Sequence, residues 1–436
     1  MHSMQPTLTQ LDIGLPVISV PMPGIESLTV MAIVNTGSRF EPKGKEGIAH
    51  FFEHIVFKGT RRYPTAQKLS AAVDGLGADF NAFTSHEYTG YYVKAAAKHA
   101  RTALDVVSDM LLVPMIRDSD VEREKSVIAE EINMYHDLPA RYISDLFGRM
   151  VYQGSGLGHD VVGTKETVAG VTAADFRAFL RQWYGLPNMV LVLAGKRSLV
   201  EDPQILTTVR ELFSKDGGDR VARLAAVKPF LSEGMLAKAR LHLESRHIQQ
   251  AHFVLAWPGM KAKDPDRYAL AVLSALIGGD MSSRLFIQVR EKRGLSYYVR
   301  STTDQFHDKG IVGVAAGVDP ARIDEAITVS AGEFHKLATG RKKVTKIELK
   351  RAQEYLVGKW ALSTEDSDAM AEFAGLRKIL LDEVTSVQAV MERIQAVTLD
   401  DVHHLAKRLI VPGKARLALI GPYQDRERFS KLIKDL

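Results

Sequence analysis

Val171–Lys196 reads VTAADFRAFLRQWYGLPNMVLVLAGK, and Val397–Pro422 reads VTLDDVHHLAKRLIVPGKARLALIGP. The two stretches align without a gap at an offset of 226 residues. Each opens on Val-Thr with an aspartate three residues after the threonine, the pattern of a helix start closed by a capping box. An amphipathic helix follows, then a proline turn, then an apolar strand ending at glycine. A weaker echo pairs Tyr92–Met110 with Val314–Ala331, again a strand followed by a helix. Two matches in the same order at similar offsets mark an internal duplication.

A chain of 436 residues exceeds one ordinary core, and the duplication divides it into two domains of about 200 residues each. Each half reads as an α+β domain, a mostly antiparallel sheet with helices packed on one face. Leu28–Asn35 and Tyr88–Lys94 are among the expected strands. The tract from Ser214 to Gly234, with Asp216-Gly217-Gly218-Asp219 and Pro229, has linker composition. The expected division is therefore a first domain over 1–214, a linker over 215–238 and a second domain over 239–436.

The chain is 46% hydrophobic and 25% charged, which is globular rather than disordered. No stretch approaches the roughly 20 apolar residues that span a bilayer. The opening MHSMQPTLTQLDIGLPV lacks a basic flank followed by an apolar run, so a cytoplasmic protein without membrane association is expected. The net charge is +5 and the basic residues are scattered. Gly340–Lys343 reads as a solvated loop, and no nucleic-acid module is present. Cysteine is absent, which excludes disulfides and thiolate chemistry and leaves histidines and carboxylates to hold any transition metal.

Such a set exists in GIAHFFEHIVFKG, Gly47–Gly59. On a helix His50, Glu53 and His54 share one face, so two imidazoles can hold zinc with a glutamate beside the open position. The order H-x-x-E-H is that of the inverted zincins. A catalytic zinc takes three protein ligands, and without cysteine the third should be a carboxylate. Asp120–Tyr135, DVEREKSVIAEEINMY, is the best helix for it. Glu124 and Glu131 lie two turns apart on the face that carries Val127, Ile128 and Tyr135. Carboxylates on an apolar face need a reason, and ligation by one with support from the other supplies it. Glu130 is turned about 100° away, toward solvent.

These residues resemble the pitrilysin and insulinase family of inverted-zincin metallopeptidases, specifically its two-domain branch that includes the mitochondrial processing peptidase. NTGSRFEP, GIAHFFEHIVFKGT, GADFNAFTSHEYTGYYVKA, EREKSVIAEEI, GTKETV, NMVLVLAG and MSSRLFIQVREKRGLSYYV look like family segments in family order. His54 and Glu131 have 76 residues between them, the separation this family uses. The resemblance implies one zinc per chain held by His50, His54 and Glu131, with Glu53 as catalytic base and Glu124 orienting the site. It makes Asn81, Ala82 and Phe83 an edge strand that receives substrate as an added strand. Arg290 and Tyr297 in REKRGLSY resemble the family pair that binds substrate and polarises the scissile carbonyl. The implied activity is a zinc endopeptidase acting on extended or unfolded peptides.

By the same resemblance, a two-domain chain dimerises to build the chamber that longer relatives make from four domains. The expected partner is a second copy, and a paralogue is the alternative. A maturase for one precursor and a non-catalytic scaffold are the rival functions. The second half has ALAVLSALI, Ala269–Ile277, where the first has its metal motif. Phe52 stands where leucine is more familiar in the family, and the glycine-rich loop of the mitochondrial partner subunit has no convincing match.

Overall fold

The computed structural model describes residues 4–214 and 238–436, so the expected linker at 215–238 lies outside the described residues apart from Lys238. Eleven strands are present among the described residues. They are β1 Thr7–Gln10, β2 Pro16–Met22, β3 Ser27–Val34, β4 Asp79–Thr84, β5 Thr89–Ala96 and β6 Met189–Lys196. The second half adds β7 Leu241–Ser245, β8 Ala251–Pro258, β9 Ser296–Gln305, β10 Gly310–Val318 and β11 Arg416–Gly421. They make two sheets, in the orders β1-β2-β6-β3-β5-β4 and β7-β11-β8-β10-β9. Apart from the extra β1, the second order repeats the first. In both, one parallel pair (β2 with β6, β7 with β11) adjoins a run of antiparallel pairs. The duplication read from the sequence is therefore a duplication of topology.

Both repeated helices start as the sequence predicts. Thr172 accepts from the Asp175 amide at 3.3 Å, and Asp175 accepts from the Thr172 amide at 2.9 Å. Thr398 and Asp401 make the same reciprocal pair at 3.2 and 2.8 Å. The helices Ala173–Trp183 and Leu399–Leu409 follow, each leading to an interior strand of its sheet, β6 or β11.

The described residues form two compact units, and these do not follow the chain halves throughout. One comprises residues 4–133, 159–214 and 361–387; the other comprises 134–158, 238–360 and 388–436. The crossing segments explain why the central strands are apolar on both faces instead of alternating. In the first unit Leu28, Val30, Ala32 and Val34 of β3 point into one core with Leu104 and Val107 of the helix Ala100–Leu112. The opposite face of β3 meets the helix Ser367–Leu376, where the Thr29 and Ser367 hydroxyls are 2.8 Å apart. Lys94 of β5 pairs with Asp366, and with Asp368 at 2.9 Å. In the second unit the helix Pro139–Val151 packs Ile143, Phe147 and Val151 against Val254, Ile311 and Ile420 of the sheet. No helix among the described residues is long and apolar enough to cross a membrane.

Candidate metal centre

The helix Ile48–Ile55 owes its placement to its apolar side. Ile48, Ala49, Phe51, Phe52 and Ile55 are fully buried. Phe51 meets Phe176 edge-on with ring centres 4.9 Å apart, and Phe52 meets Tyr184 at the same distance. The phenylalanine at position 52 thus completes an aromatic cluster. At the helix start Gly47 has φ +95°, and a Cβ there would lie 2.7 Å from the Val162 carbonyl oxygen. Glycine is required on both counts. Gly47 supplies no side-chain cap, and Glu41 takes that role from six residues upstream. Its two oxygens accept the Gly47 and Ala49 amides at 2.7 and 2.8 Å. Its oxygens thus satisfy orphan amides at the helix N-terminus, while burial, only partly offset by those two hydrogen bonds, pushes the Glu41 pKa up to about 8.

The other side of the helix carries His50, Glu53 and His54. The helix Asp118–His136 faces it with Glu124 and Glu131. His50 Nε2 is 3.6 Å from one Glu131 oxygen, and His54 Nε2 is 3.5 Å from the other. Both separations exceed a charge-assisted hydrogen bond. The three side chains surround a common point, with one donor atom from each within 4.8 Å of the others. Two imidazoles and a carboxylate are the donor types that zinc takes, so the residues present fit that ion.

His54 Nδ1 is 3.0 Å from Glu124, whose second oxygen is 2.5 Å from Lys58 Nζ. Glu124 is only 4% exposed. Burial alone would raise its pKa, but the hydrogen bonds and charges of His54 and Lys58 outweigh it and hold the carboxyl below its ordinary range. Burial likewise disfavours a charged His54, yet Glu124 and Glu131 together push its pKa up to about 9. Two carboxylates flank this imidazole and favour positive charge there, and a metal cation competes for that place with a proton. Glu130 is exposed and accepts from Asn133 at 3.3 Å. One part of the sequence reading needs correction. Val127, expected on the face of Glu124 and Glu131, is 49% exposed, and that face runs through Val121, Ile128 and Ile132.

Strand β4 is the outermost of its sheet and pairs only with β5 among the described residues, with Asn81 opposite Tyr92, Ala82 opposite Tyr91 and Phe83 opposite Gly90. Asn81 is exposed, Ala82 buried and Phe83 between. The strand also packs beside the helix Ile48–Ile55 and the turn after it, with Phe80 and Phe57 ring centres 5.3 Å apart. Thr84, the last residue of β4, donates its hydroxyl to Glu53 at 2.6 Å.

Arg290 and Tyr297 lie in the second unit. Arg290 is at the end of the helical turn Phe286–Glu291, Gly294 follows at φ +60°, and Tyr297 is the second residue of β9. The Arg290 guanidinium donates to the Tyr297 carbonyl at 2.9 Å. Both side chains are exposed, Tyr297 to 61%. Among the described residues, His50, His54 and Glu131 are the one cluster of metal-binding geometry. The matching helix in the second unit, Arg267–Gly278, buries Leu270, Leu273 and Leu276. Sequence reasoning missed Glu41, Lys58 and Thr84. All three lie in or beside quoted motifs, but nothing in their local spacing marks a distant partner.

Residues 17–165 match the family model for insulinase, peptidase family M16, and residues 170–356 match the model for the peptidase M16 inactive domain. An uncharacterized zinc protease of Streptomyces coelicolor is 36% identical, over 96% of this chain and 90% of its own length. The uncharacterized zinc protease YmxG of Bacillus subtilis is 32% identical, over 94% of this chain and 96% of its own. The crystal structure of a protease from Helicobacter pylori superposes with a TM-score of 0.84 at 20% identity, covering 97% of this chain and 100% of that one. A peptidase M16 inactive domain from Pseudomonas fluorescens gives 0.85 at 18% identity, covering 96% and 98%.

Proposed function

The chain belongs to the insulinase family of peptidases, family M16, and from that premise we propose that it is a zinc-dependent endopeptidase for extended peptides. The observation that carries this reading is the meeting of His50, His54 and Glu131 around one point, with Glu53 on the same helix face. In this reading those three residues hold the zinc ion. When bound, zinc supplies a Lewis-acidic charge that acidifies water and polarises a carbonyl.

The chain's own groups do the rest. Glu124 holds His54 by Nδ1 and leaves Nε2 for the metal, the usual task of a carboxylate behind a ligand histidine. Glu53 takes the proton of the attacking water and returns it to the leaving amine. The open edge at Asn81, Ala82 and Phe83 receives the peptide as an added strand, which selects substrates with unpaired backbone. Arg290 and Tyr297 bind the peptide and help polarise the scissile carbonyl. A dimer, by preference of two identical chains, encloses the substrate.

The test joins metal analysis to hydrolysis of a mixed peptide set. One zinc per chain is expected, with cleavage of unfolded peptides, loss of activity on chelation and recovery on zinc addition. A zinc-loaded protein that cuts no unfolded peptide would refute the proposal.

A further inference from the structure

We propose that Thr84 is the positioning residue for the Glu53 carboxylate, so that the strand receiving the peptide also aims the base. This inference rests on the reading of Glu53 as base given above. The Thr84 hydroxyl is 2.6 Å from Glu53 Oε2 and is the sole side-chain hydrogen-bond partner of that carboxylate among the described residues. A glutamate on a helix has three free torsions, and fixing one oxygen selects among its rotamers. The other oxygen, Oε1, stays free to exchange a proton.

Thr84 can aim Glu53 only if it is itself held in place, and the surrounding contacts hold it. Thr84 pairs with Thr89 at the end of β4, and the turn closes with the Ser85 amide on the Tyr88 carbonyl at 2.8 Å. The segment Gly37–Glu41 clamps this turn from outside. The Ser38 amide donates to the Ser85 carbonyl at 3.1 Å, and the Arg39 amide donates to the His86 carbonyl at 2.8 Å. The Ser38 hydroxyl and His86 Nδ1 are 2.9 Å apart. Arg39 and Glu87 form an ion pair at 2.5 Å with both side chains buried. Gly37 permits the approach, since a Cβ there would lie 2.2 Å from the Ser85 carbonyl oxygen.

The same segment ends at Glu41, which caps the helix that carries Glu53. Five consecutive residues therefore fix both the turn beyond Thr84 and the start of the helix bearing its partner. A peptide added to β4 is registered on the strand that also orients the base, and misalignments of about 1 Å at such a site cost up to about a hundredfold in rate.

The experiment uses zinc-loaded protein and one unfolded peptide, with Thr84→Val to remove the hydroxyl and Thr84→Ser to keep it. Thr84→Val should bind zinc stoichiometrically and lose roughly ten- to a hundredfold in kcat, with KM changed less than about twofold. Thr84→Ser should restore most of kcat. In a Glu53→Gln background, Thr84→Val should cost nothing further, because its effect passes through the carboxylate. Thr84→Ala repeats the test if valine disturbs folding, as judged by the melting temperature. A wild-type kcat in Thr84→Val, a rise in KM alone, or equal further loss in the Glu53→Gln background would each overturn the proposal. Full activity of Glu53→Gln itself would instead bring down the assignment of the base, an outcome the single variant separates from failure at Thr84.

Discussion

Strands β4 and β9 hold the same place in their sheets, each the last in order and each packed beside a helix. The helix beside β4 is Ile48–Ile55, and its contact to the strand runs from the Glu53 carboxylate to the Thr84 hydroxyl at 2.6 Å. The helix beside β9 is Arg267–Gly278, and there the Ser274 and Ser301 hydroxyls meet at 2.9 Å. The geometry of helix against edge strand is common to both copies, while the chemistry is not. In the second copy, leucines, valine and isoleucine fill the helix, and the Ser274 hydroxyl donates to that of Ser301, which donates in turn to the Ser274 carbonyl at 2.9 Å. In the first, five ionisable side chains of the candidate metal centre, His50, Glu53, His54, Glu124 and Glu131, are brought together, and each has a partner or faces a shared point. Burying polar groups costs several kcal/mol each when they are unmatched. The first copy therefore needs Lys58, Glu124 and Thr84, and the second does not.

The comparison breaks most sharply at Glu53. Glu53→Gln leaves the three donors in place, so zinc should remain while turnover falls by roughly 10²–10⁴. Zinc content by elemental analysis beside peptide hydrolysis checks both halves of the statement.

Next in size is the contrast between neighbouring glutamates. Glu131→Gln should weaken zinc by about a hundredfold or more, and Glu130→Gln should leave it unchanged, because only Glu131 faces the imidazoles. Competition with a chelator of known affinity measures the ratio. Equal weakening in both variants would contradict the observed register of that helix.

A third test concerns the turn that closes β4 onto β5. Burial, with smaller effects from Arg39 and His159 partly offset by Glu87, lowers the His86 pKa to about 4. The fold holds this histidine neutral, while the unfolded chain protonates it near 6.5. Between these values the unfolded state binds more protons, so stability falls as pH falls. From pH 7 to pH 5 the contribution lost is about 2 kcal/mol. Urea unfolding of metal-free wild type and His86→Gln at both pH values should show the larger loss in wild type.

The smallest effect belongs to the second copy. Ser274→Ala should cost about 1 kcal/mol of stability and change neither zinc affinity nor turnover, as measured by the same assays. A fall in turnover would show that the second helix does more than pack.

The parts of this picture that were legible in the sequence share one property: they are short-range. The capping boxes at Thr172 and Thr398, the strand–turn–helix echoes and the convergence of His50, Glu53 and His54 follow from periods of two and 3.6 residues. The pairing of Glu124 with Glu131 is visible as a two-turn spacing, but a charged helix has so weak an apolar stripe that its sequence puts Val127 on the wrong face. The edge position of β4 was expected from the resemblance, and the sheet order bears it out.

By itself, then, the sequence determined a duplicated α+β fold, a helix with three chemical groups on one side, and a carboxylate-bearing helix to meet it. Tertiary structure alone decided that Ser367–Leu376 covers the first sheet and Pro139–Val151 the second, because both faces of a central apolar strand must be buried by whatever helix the chain can bring. It alone decided that Lys58 pairs with Glu124, that Glu41 caps the helix Ile48–Ile55 and that Thr84 holds Glu53. Hydrogen bonds between residues six to 70 positions apart leave no period in the sequence. They follow from the cost of leaving a buried polar group without a partner once the core has set the distances.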